Sequence, residues 1–284
     1  MKKLIQRLII FCTGLPLIVL FVLFLPPYNH LAVNMAVVAF SAVGAVEFAG
    51  ILKKKNLIIS HVEAAILGAL SPAAMTLTVS FQAGAQIVPA VFIAAAAWLL
   101  ISRIFTREQK LADFTNRAAA GFAVMIYPGL FMEWIIKLSL WPKAEIVILT
   151  FLLIVFANDS LAWTAGMLFG KGNRGIVLVS PNKSIAGFIG GLAASALVGA
   201  GAVLLFPEVF PLRRFPALPS GIALGLISGI AGSLGDLGES AMKRSSGIKD
   251  SGFLIPGRGG VLDSIDSLAL AAPVFYLVCR FLFF

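Results

Sequence analysis

The stretch Ser240–Asp266, called the charged segment below, concentrates charge and glycine in an otherwise apolar sequence. The residues that could take part in binding or catalysis are Lys243, Arg244, Lys249, Asp250, the turn Pro256-Gly257-Arg258-Gly259-Gly260, Asp263 and Asp266. Carboxylates three residues apart lie on one face of a helix start and can hold a hard cation. Cations and glycine N–H groups bind phosphate oxygens. The segment therefore predicts phosphate and metal chemistry, with a solvated loop of a membrane protein as the open alternative.

Three further carboxylates lie inside or at the end of apolar runs, where an ionised group is costly and marks a functional hypothesis. Asp159 falls inside one run, and Asp236 and Glu239 fall at the end of another. Asp236 and Glu239 are three residues apart, so they point the same way and repel each other unless a cation or a proton intervenes. Their charge could be neutralised by a bound metal ion or by ion pairs with Lys243 or Arg244.

Composition predicts an integral membrane protein. The chain has 284 residues, is 60% hydrophobic and 12% charged, and has a mean hydropathy of +0.99, whereas a soluble globular domain is about 25% charged. Several apolar runs reach the ~20 residues that span a bilayer as a helix, and a helix satisfies its own backbone groups in lipid. We expect one membrane domain over residues 1–284, with amino-terminal helices in 1–140 and the helices that carry the charged segment in 141–284. Cys12 and Cys279 lie in the first and last runs and are expected to be apolar fillers.

The apolar runs predict an all-α protein of about nine transmembrane helices. The predicted spans are Leu8–Leu25, Leu31–Leu52, Leu57–Val79, Ile87–Phe105, Ala118–Leu138, Ile146–Phe169, Ile185–Phe206, Ser220 into Gly229–Gly238, and Leu268–Phe284. Glycines recur in the last three spans, which predicts closely packed helices because small residues let backbones approach in lipid. These glycine-rich faces would also allow a homodimer.

The distribution of Lys and Arg predicts a cytoplasmic amino terminus. With this orientation, seventeen of the 22 Lys and Arg residues face the cytoplasm, including Lys53–Lys55 and all the cations of the charged segment. This bias follows the positive-inside rule, so the net charge of +9 predicts topology and no nucleic-acid partner. Arg213-Arg214 is a local violation that the pattern does not explain.

The charged segment resembles the signature of the phosphatidate cytidylyltransferases: Ser-x-apolar-Lys-Arg, four residues, Lys-Asp-x-small, then Pro-x-His-Gly-Gly-apolar-x-Asp-Arg-apolar-Asp. The positions in register are Ser240, Met242, Lys243, Arg244, Lys249, Asp250, Gly252, Ile255, Pro256, Gly259, Gly260, Val261, Asp263, Ile265 and Asp266. Two positions depart, since Arg258 replaces the family's His and Ser264 its Arg. Because a guanidinium reaches far and carries five donors, we hypothesise that Arg258 substitutes for the missing arginine; the alternative is a solvated turn residue.

A second block, Asn158–Gly191, is also similar to the family. The matching motifs are Asn158-Asp159-Ser160-x-Ala162-Trp163 for Asp-Thr-x-Ala-Tyr, Phe169-Gly170-Lys171 for Phe-Gly-Lys, and Ser180-Pro181-Asn182-Lys183-Ser184-x-Ala186-Gly187 for Ser-Pro-Lys-Lys-Thr-x-Glu-Gly. Asn182 and Ala186 are departures. Lys183 and Ser184 precede a predicted helix, whose amino terminus would add partial positive charge for phosphate.

The resemblance implies transfer of a cytidylyl group from CTP to phosphatidic acid in a membrane, giving CDP-diacylglycerol and pyrophosphate in phospholipid biosynthesis. With the orientation predicted from Lys and Arg, the active site is expected on the cytoplasmic side of a membrane, which is expected to be a bacterial inner membrane. The implied catalytic residues are Asp236, Lys249, Asp250, Asp263 and Asp266. The implied substrate-binding residues are Asp159, Ser180, Lys183, Ser184, Ser240, Lys243, Arg244, Arg258, Gly259 and Gly260.

The implied metal centre has Asp236 and Asp263 as principal ligands, with Glu239, Asp250 and Asp266 close by. Magnesium is the expected ion, because all these ligands are hard oxygens and the partner is a triphosphate. A second cation is left open.

The remaining membrane acids are Glu47, Glu63 and Glu133. Glu47 lies one or two turns before Lys53–Lys55, so we expect it to snorkel or pair with them. Glu133 carries no assigned role, and a metal pair of His61 with Glu63 is a weaker alternative. Two other functions stay open, namely a transporter, since acids and glycine-broken helices also describe a substrate pathway, and an inactive relative that binds lipid.

Overall fold

The computed structural model describes residues 14, 16–105, 111–211, 215–255, 257 and 259–284. The helices are α1 (Pro27–Lys53), α2 (His61–Phe81), α3 (Ile87–Ile101), α4 (Phe114–Val124), a π-helix (Met125–Leu130), α5 (Phe131–Lys137), a 3₁₀ turn (Leu138–Leu140), α6 (Ala144–Phe169), α7 (Ile185–Leu205), α8 (Ala217–Ser245) and α9 (Leu262–Phe283). No strand forms within these described ranges, and two isolated bridges join Arg174 to Ser184 and Ile255 to Gly259. The predicted all-α class is confirmed.

Seven helical spans among the described residues are long and apolar enough to cross a membrane. They are α1, α2, the continuous span Phe114–Leu140, α6, α7, α8 and α9. The helix α3 is apolar but only 15 residues long. The polytopic membrane architecture is therefore confirmed. The predicted span Leu8–Leu25 falls largely outside the described residues, so the count of nine stays a prediction.

The chain divides into two compact units, and α8 and α9 each pass from one unit into the other. The first unit comprises Met1–Leu140 and Met242–Ile265, and the second comprises Trp141–Ala241 and Asp266–Phe284. Residues 242–265 of the charged segment therefore pack with the amino-terminal helices. Their position in the sequence would instead suggest that they pack with the helices of the carboxyl-terminal half.

The first unit contains polar side chains that connect helices across its core. The Ser41 hydroxyl on α1 lies 2.7 Å from the Gly68 carbonyl on α2 and also contacts the Pro128 carbonyl of the π-helix. Arg117 forms an ion pair with Glu63 and donates to the Ser102 hydroxyl over 3.0 Å. Glu63 therefore serves as a partner of Arg117, which argues against the alternative of a His61 and Glu63 metal pair.

The second unit owes its close helix packing to glycines, as predicted. A Cβ built on Gly225 of α8 would lie 2.6 Å from the Ser195 carbonyl carbon of α7. The Asn158 side-chain amide of α6 donates to the Ser233 hydroxyl of α8 over 2.9 Å, and the Ser195 hydroxyl lies 3.3 Å from the side-chain oxygen Oδ1 of Asn158. These bonds join α6, α7 and α8 next to Asp159, so they hold one of the predicted site residues.

Because α7 and α8 approach closely, we expect two glycine substitutions to differ strongly in their effect on stability. Gly225→Ala is expected to destabilise the protein by about 1–3 kcal/mol, because its methyl group would overlap the α7 backbone. Gly201→Ala on α7 is the matched control, since its added Cβ would meet nothing within 4 Å. The thermal midpoints of both variants in detergent check the prediction, and equal midpoints would contradict it.

Candidate active site

The charged segment forms the ends of two helices and the loop between them. Ser240 to Ser245 complete α8, residues 246–261 form the linking loop, and α9 starts at Leu262. Only the linking loop is non-helical, so the solvated-loop alternative is wrong for the helical ends. Asp263 and Asp266 lie at a helix start, as the spacing predicted.

Asp263 accepts hydrogen bonds from several parts of the linking loop. Its Oδ2 lies 3.0 Å from the Ser251 backbone nitrogen, 2.8 Å from the Ser251 hydroxyl and 2.6 Å from the Gly260 backbone nitrogen. Its Oδ1 forms an ion pair with Lys243 of α8. A carboxylate offers about four acceptor sites, so these four donors use its ordinary capacity.

Lys243 and Asp263 form a buried ion pair, with side chains 10% and 7% exposed. The predicted phosphate ligand Lys243 therefore neutralises a predicted metal ligand in the described state. Gly259 has a φ of +116°, and a Cβ on it would lie 2.5 Å from Asp263 Oδ2. Glycine is thus required at this position both by the backbone conformation and by the space beside the carboxylate.

Other predicted residues of the linking loop face solvent. Lys249 and Asp250 are exposed, and so is Arg244 at the end of α8, which donates to the Ile248 carbonyl over 3.3 Å. Two backbone hydrogen bonds between Ile255 and Gly259 close the glycine-rich turn. Pro256 and Arg258 lie outside the described residues, so the hypothesis that Arg258 replaces an arginine stays a prediction. Ser264, at the departing position, has its hydroxyl 3.3 Å from the Gly260 carbonyl.

Glu47 belongs to this cluster, and the expectation that it pairs with Lys53–Lys55 is wrong. Its Oε2 accepts from the Leu262 backbone N–H over 2.8 Å and lies 3.2 Å from the Ser251 hydroxyl. The available sequence signal was its position inside an apolar run, where a carboxylate is a functional hypothesis by default. Its partners are more than 200 positions away, so the local pattern did not reveal them.

The second unit contains another cluster of carboxylates. Lys183 Nζ lies 2.6 Å from Asp236 Oδ2, and both side chains are partly exposed, at 25% and 33%. Glu239 is fully buried and Asp266 is 8% exposed. The charges of Asp236, Glu239 and Asp159 all act on Asp266. Four predicted site carboxylates and one predicted phosphate-binding lysine are therefore brought into one neighbourhood.

Local sequence explains how these groups are placed. A Cβ on Gly235 would overlap the Asp266 carbonyl, so α8 and α9 approach closely beside Asp236. Ser184 caps α7 by accepting from the Gly187 N–H over 3.1 Å, which places Lys183 just before the helix amino terminus. The buried Ser184 hydroxyl thus serves the helix cap in the described state. Ser180 is half-buried in the preceding loop, where its backbone bonds with Val177 and Lys183 close successive turns.

The chemistry of the carboxylate cluster fits magnesium, although a complete ligand cage is not present. Within the part of the chain that the structure describes, no three Asp, Glu, His or Cys side chains are grouped so that they could hold one metal ion. Magnesium is usually bound by one or two carboxylates together with waters and substrate phosphates. Two of the acids Asp159, Asp236, Glu239 and Asp266 would therefore suffice when a triphosphate supplies the remaining oxygens.

Comparison with known sequences decides the family. The profile of the Cytidylyltransferase family matches residues 5–282. The chain belongs to the cytidylyltransferase family. The match extends over the amino-terminal helices, where the resemblance had rested on hydropathy alone.

Individual relatives match parts of this cytidylyltransferase-family chain. The uncharacterized protein YnbB of Escherichia coli is 40% identical over 198 residues, which cover 67% of this chain and 63% of YnbB. A phosphatidate cytidylyltransferase of Staphylococcus haemolyticus is 43% identical over 122 residues, covering 43% of this chain and 44% of that enzyme. One from Synechocystis is 38% identical over 137 residues, covering 48% and 44%. The chain thus spans less than two thirds of the length of each of these relatives.

Proposed function

We propose that this protein transfers a cytidylyl group from CTP to phosphatidic acid, releasing pyrophosphate and forming CDP-diacylglycerol. The observation that carries the proposal is the contact between Lys183 and Asp236, at 2.6 Å. These residues come from the two separate blocks that resemble the family. Phosphatidate cytidylyltransferases among the relatives have this activity in their names.

The reaction needs no covalent enzyme intermediate. A phosphate oxygen of phosphatidic acid attacks the α-phosphorus of CTP, and a new P–O bond forms. The bond from the α-phosphorus to the bridging oxygen breaks, and this oxygen leaves with pyrophosphate. Both substrates are anionic, so the protein contributes by positioning them and by neutralising their charge.

The cationic side chains differ in how accessible they are to substrate phosphates. Arg244 and Lys249 are exposed and can bind phosphate oxygens directly. Lys183 lies beside the amino terminus of α7 and pairs with Asp236 in a partly exposed position, so phosphate can replace the carboxylate. Lys243 is buried with Asp263. We therefore assign Lys243 first to holding Asp263 and assign phosphate binding chiefly to the three accessible cations.

Magnesium would be held by Asp236 with a neighbour from the group Asp159, Glu239 and Asp266, where it would neutralise charge on the triphosphate and leaving pyrophosphate. Asp250 is exposed in the linking loop, and its ligand role stays a prediction. A ligand role for Asp263 would require it to exchange at least one of its four donors.

The proposed orientation places the charged segment in the cytoplasm, where CTP is available, while the lipid enters from the bilayer. Ser246→Cys, in a background with Cys12→Ala and Cys279→Ala, is expected to resist a membrane-impermeant thiol reagent in intact cells. It should react after permeabilisation, because Ser246 begins the linking loop. Labelling in intact cells would place the loop on the opposite side.

Purified protein with radiolabelled CTP, magnesium and phosphatidic acid tests the proposed reaction. We expect equal amounts of pyrophosphate and CDP-diacylglycerol, with no product when phosphatidic acid is omitted. Binding of lipid and CTP without turnover would favour the alternative that the protein is an inactive, lipid-binding relative. That alternative is considered because of the departures from the family motifs at Asn182, Ala186, Arg258 and Ser264. Movement of a substrate across vesicles without new P–O bonds would favour the transporter.

A further inference from the structure

Glu47 on α1 contacts the linking loop and the start of α9 within the first unit. Its Oε2 accepts the Leu262 backbone N–H over 2.8 Å and lies 3.2 Å from the Ser251 hydroxyl. The same hydroxyl lies 2.8 Å from Asp263 Oδ2. The Ser251 hydroxyl, which has a single proton to donate, therefore lies between Glu47 and the central carboxylate of the loop.

The contact with Leu262 satisfies a group that the helix cannot satisfy itself. The first N–H groups of a helix have no intrahelical acceptor, and they are usually capped by a local polar side chain. The preceding residue here is Val261, which has no side-chain acceptor, and Leu262 is only 1% exposed. Glu47 thus caps α9 from another helix, and its negative charge suits a helix amino terminus.

The loop backbone is shaped to receive this carboxylate. A Cβ added at Gly252 or Gly260 would overlap the Glu47 side chain in either case. Two glycines of the charged segment therefore pack directly against Glu47. Their absence of side chains allows the close approach of the loop to α1.

We propose that Glu47 is a positioning residue for the active site. It fixes Ser251 and the start of α9, and through them it holds Asp263 in the orientation that Lys243 and the loop amides require. The catalytic part of this inference rests on the proposed cytidylyl transfer, whereas the structural part does not. Glu47 extends the functional machinery into an amino-terminal helix.

Glu47→Gln and Glu47→Ala should lower kcat to different extents. Glu47 Oε1 is buried and has no hydrogen-bond partner within the described ranges. Glutamine can therefore place its amide nitrogen there and keep a carbonyl oxygen toward Leu262 and Ser251. Alanine removes the oxygen atom Oε2 that contacts both the Leu262 N–H and the Ser251 hydroxyl. We expect kcat to fall by about 10- to 100-fold in Glu47→Ala and by a smaller factor in Glu47→Gln.

The control is Glu133→Gln, which alters a different acid of the first unit, one that is buried. Glu133 pairs with Lys137 over 3.0 Å and contacts Ser71, and neither partner belongs to the charged segment. Hydrogen exchange measured by mass spectrometry on the detergent-solubilised full chain gives a readout independent of activity. Glu47→Ala should speed exchange of the amides in residues 246–262 while leaving those of α7 unchanged. Glu133→Gln should not speed exchange of residues 246–262 beyond that of the rest of the first unit.

The outcomes separate the two proposals. Faster exchange in the loop together with lower kcat supports the positioning role, and the smaller defect of Glu47→Gln supports capping as its cause. Unchanged exchange, or faster exchange with unchanged kcat, overturns it. If Glu47→Ala does not fold, the same comparison is made with Glu47→Gln and Ser251→Ala. A wild type without cytidylyl transfer refutes the proposed function, whereas the exchange data still decide whether Glu47 holds the loop.

Discussion

Asp236→Asn is expected to lower cytidylyl transfer by roughly 100-fold or more, because the substitution removes charge from the proposed metal site while preserving size. Asp236 is the partner of Lys183 and one of the carboxylates whose charge acts on Asp266. Its side chain is 33% exposed, so folding should be little affected. A magnesium titration of the initial rate, with the thermal midpoint measured in parallel, checks both parts.

Glu208→Gln is the matched control for this variant, because Glu208 forms another lysine–carboxylate pair of the second unit. The Lys143 Nζ to Glu208 Oε1 distance is 3.1 Å, and both side chains are about half exposed. Hydrogen bonds from its own backbone N–H and from Lys143 lower the pKa of Glu208, so the control removes a full charge at neutral pH. Near wild-type activity is expected. Equal rates for Asp236→Asn and Glu208→Gln would exclude Asp236 from the metal site.

Asp263→Asn should reduce both stability and the activity of the folded fraction. Three donors converge on Asp263 Oδ2, and Lys243 faces Oδ1. An asparagine must point its NH₂ group either toward the donors at Oδ2 or toward Lys243, and a donor facing a donor is unfavourable. The substitution also removes the carboxylate charge that pairs with the buried Lys243. Breaking a buried ion pair costs about 3–5 kcal/mol, and we expect a loss of this order.

Glu133→Gln separates the two effects of Asp263→Asn. Glu133 is 2% exposed and pairs with Lys137, so its substitution should also destabilise the protein. Its folded fraction should keep the wild-type turnover, whereas that of Asp263→Asn should lose roughly 100-fold. Specific activity per folded molecule, measured after size-exclusion chromatography, gives the comparison. Wild-type turnover in folded Asp263→Asn would show that Asp263 only stabilises the loop.

The fold class, the family and the candidate site residues could be predicted from local sequence patterns. Long apolar runs require helices in lipid, because a helix satisfies its backbone groups internally. The carboxyl-terminal motifs carried the resemblance, and the family match confirmed it. The recurring glycines predicted close helix packing, and Gly225 and Gly235 show it. These features depend on local pattern, so they can be read from the sequence.

Helix boundaries at the charged segment were only partly predictable. The predicted eighth span ended at Gly238, whereas α8 continues to Ser245. Hydropathy falls at the polar residues after Gly238, yet Lys243 is buried because Asp263 neutralises it. A charged residue can therefore extend a buried helix when its partner comes from another part of the chain.

Which side chains contact one another could not be predicted from the sequence. Glu47 was expected to pair with nearby lysines, but it instead contacts Ser251 and Leu262. Lys183 was expected to bind phosphate, and in the structure it neutralises Asp236. The physical reason is that hydrogen bonds and ion pairs join groups that are close in space, whereas hydropathy and motif spacing report only neighbours along the chain.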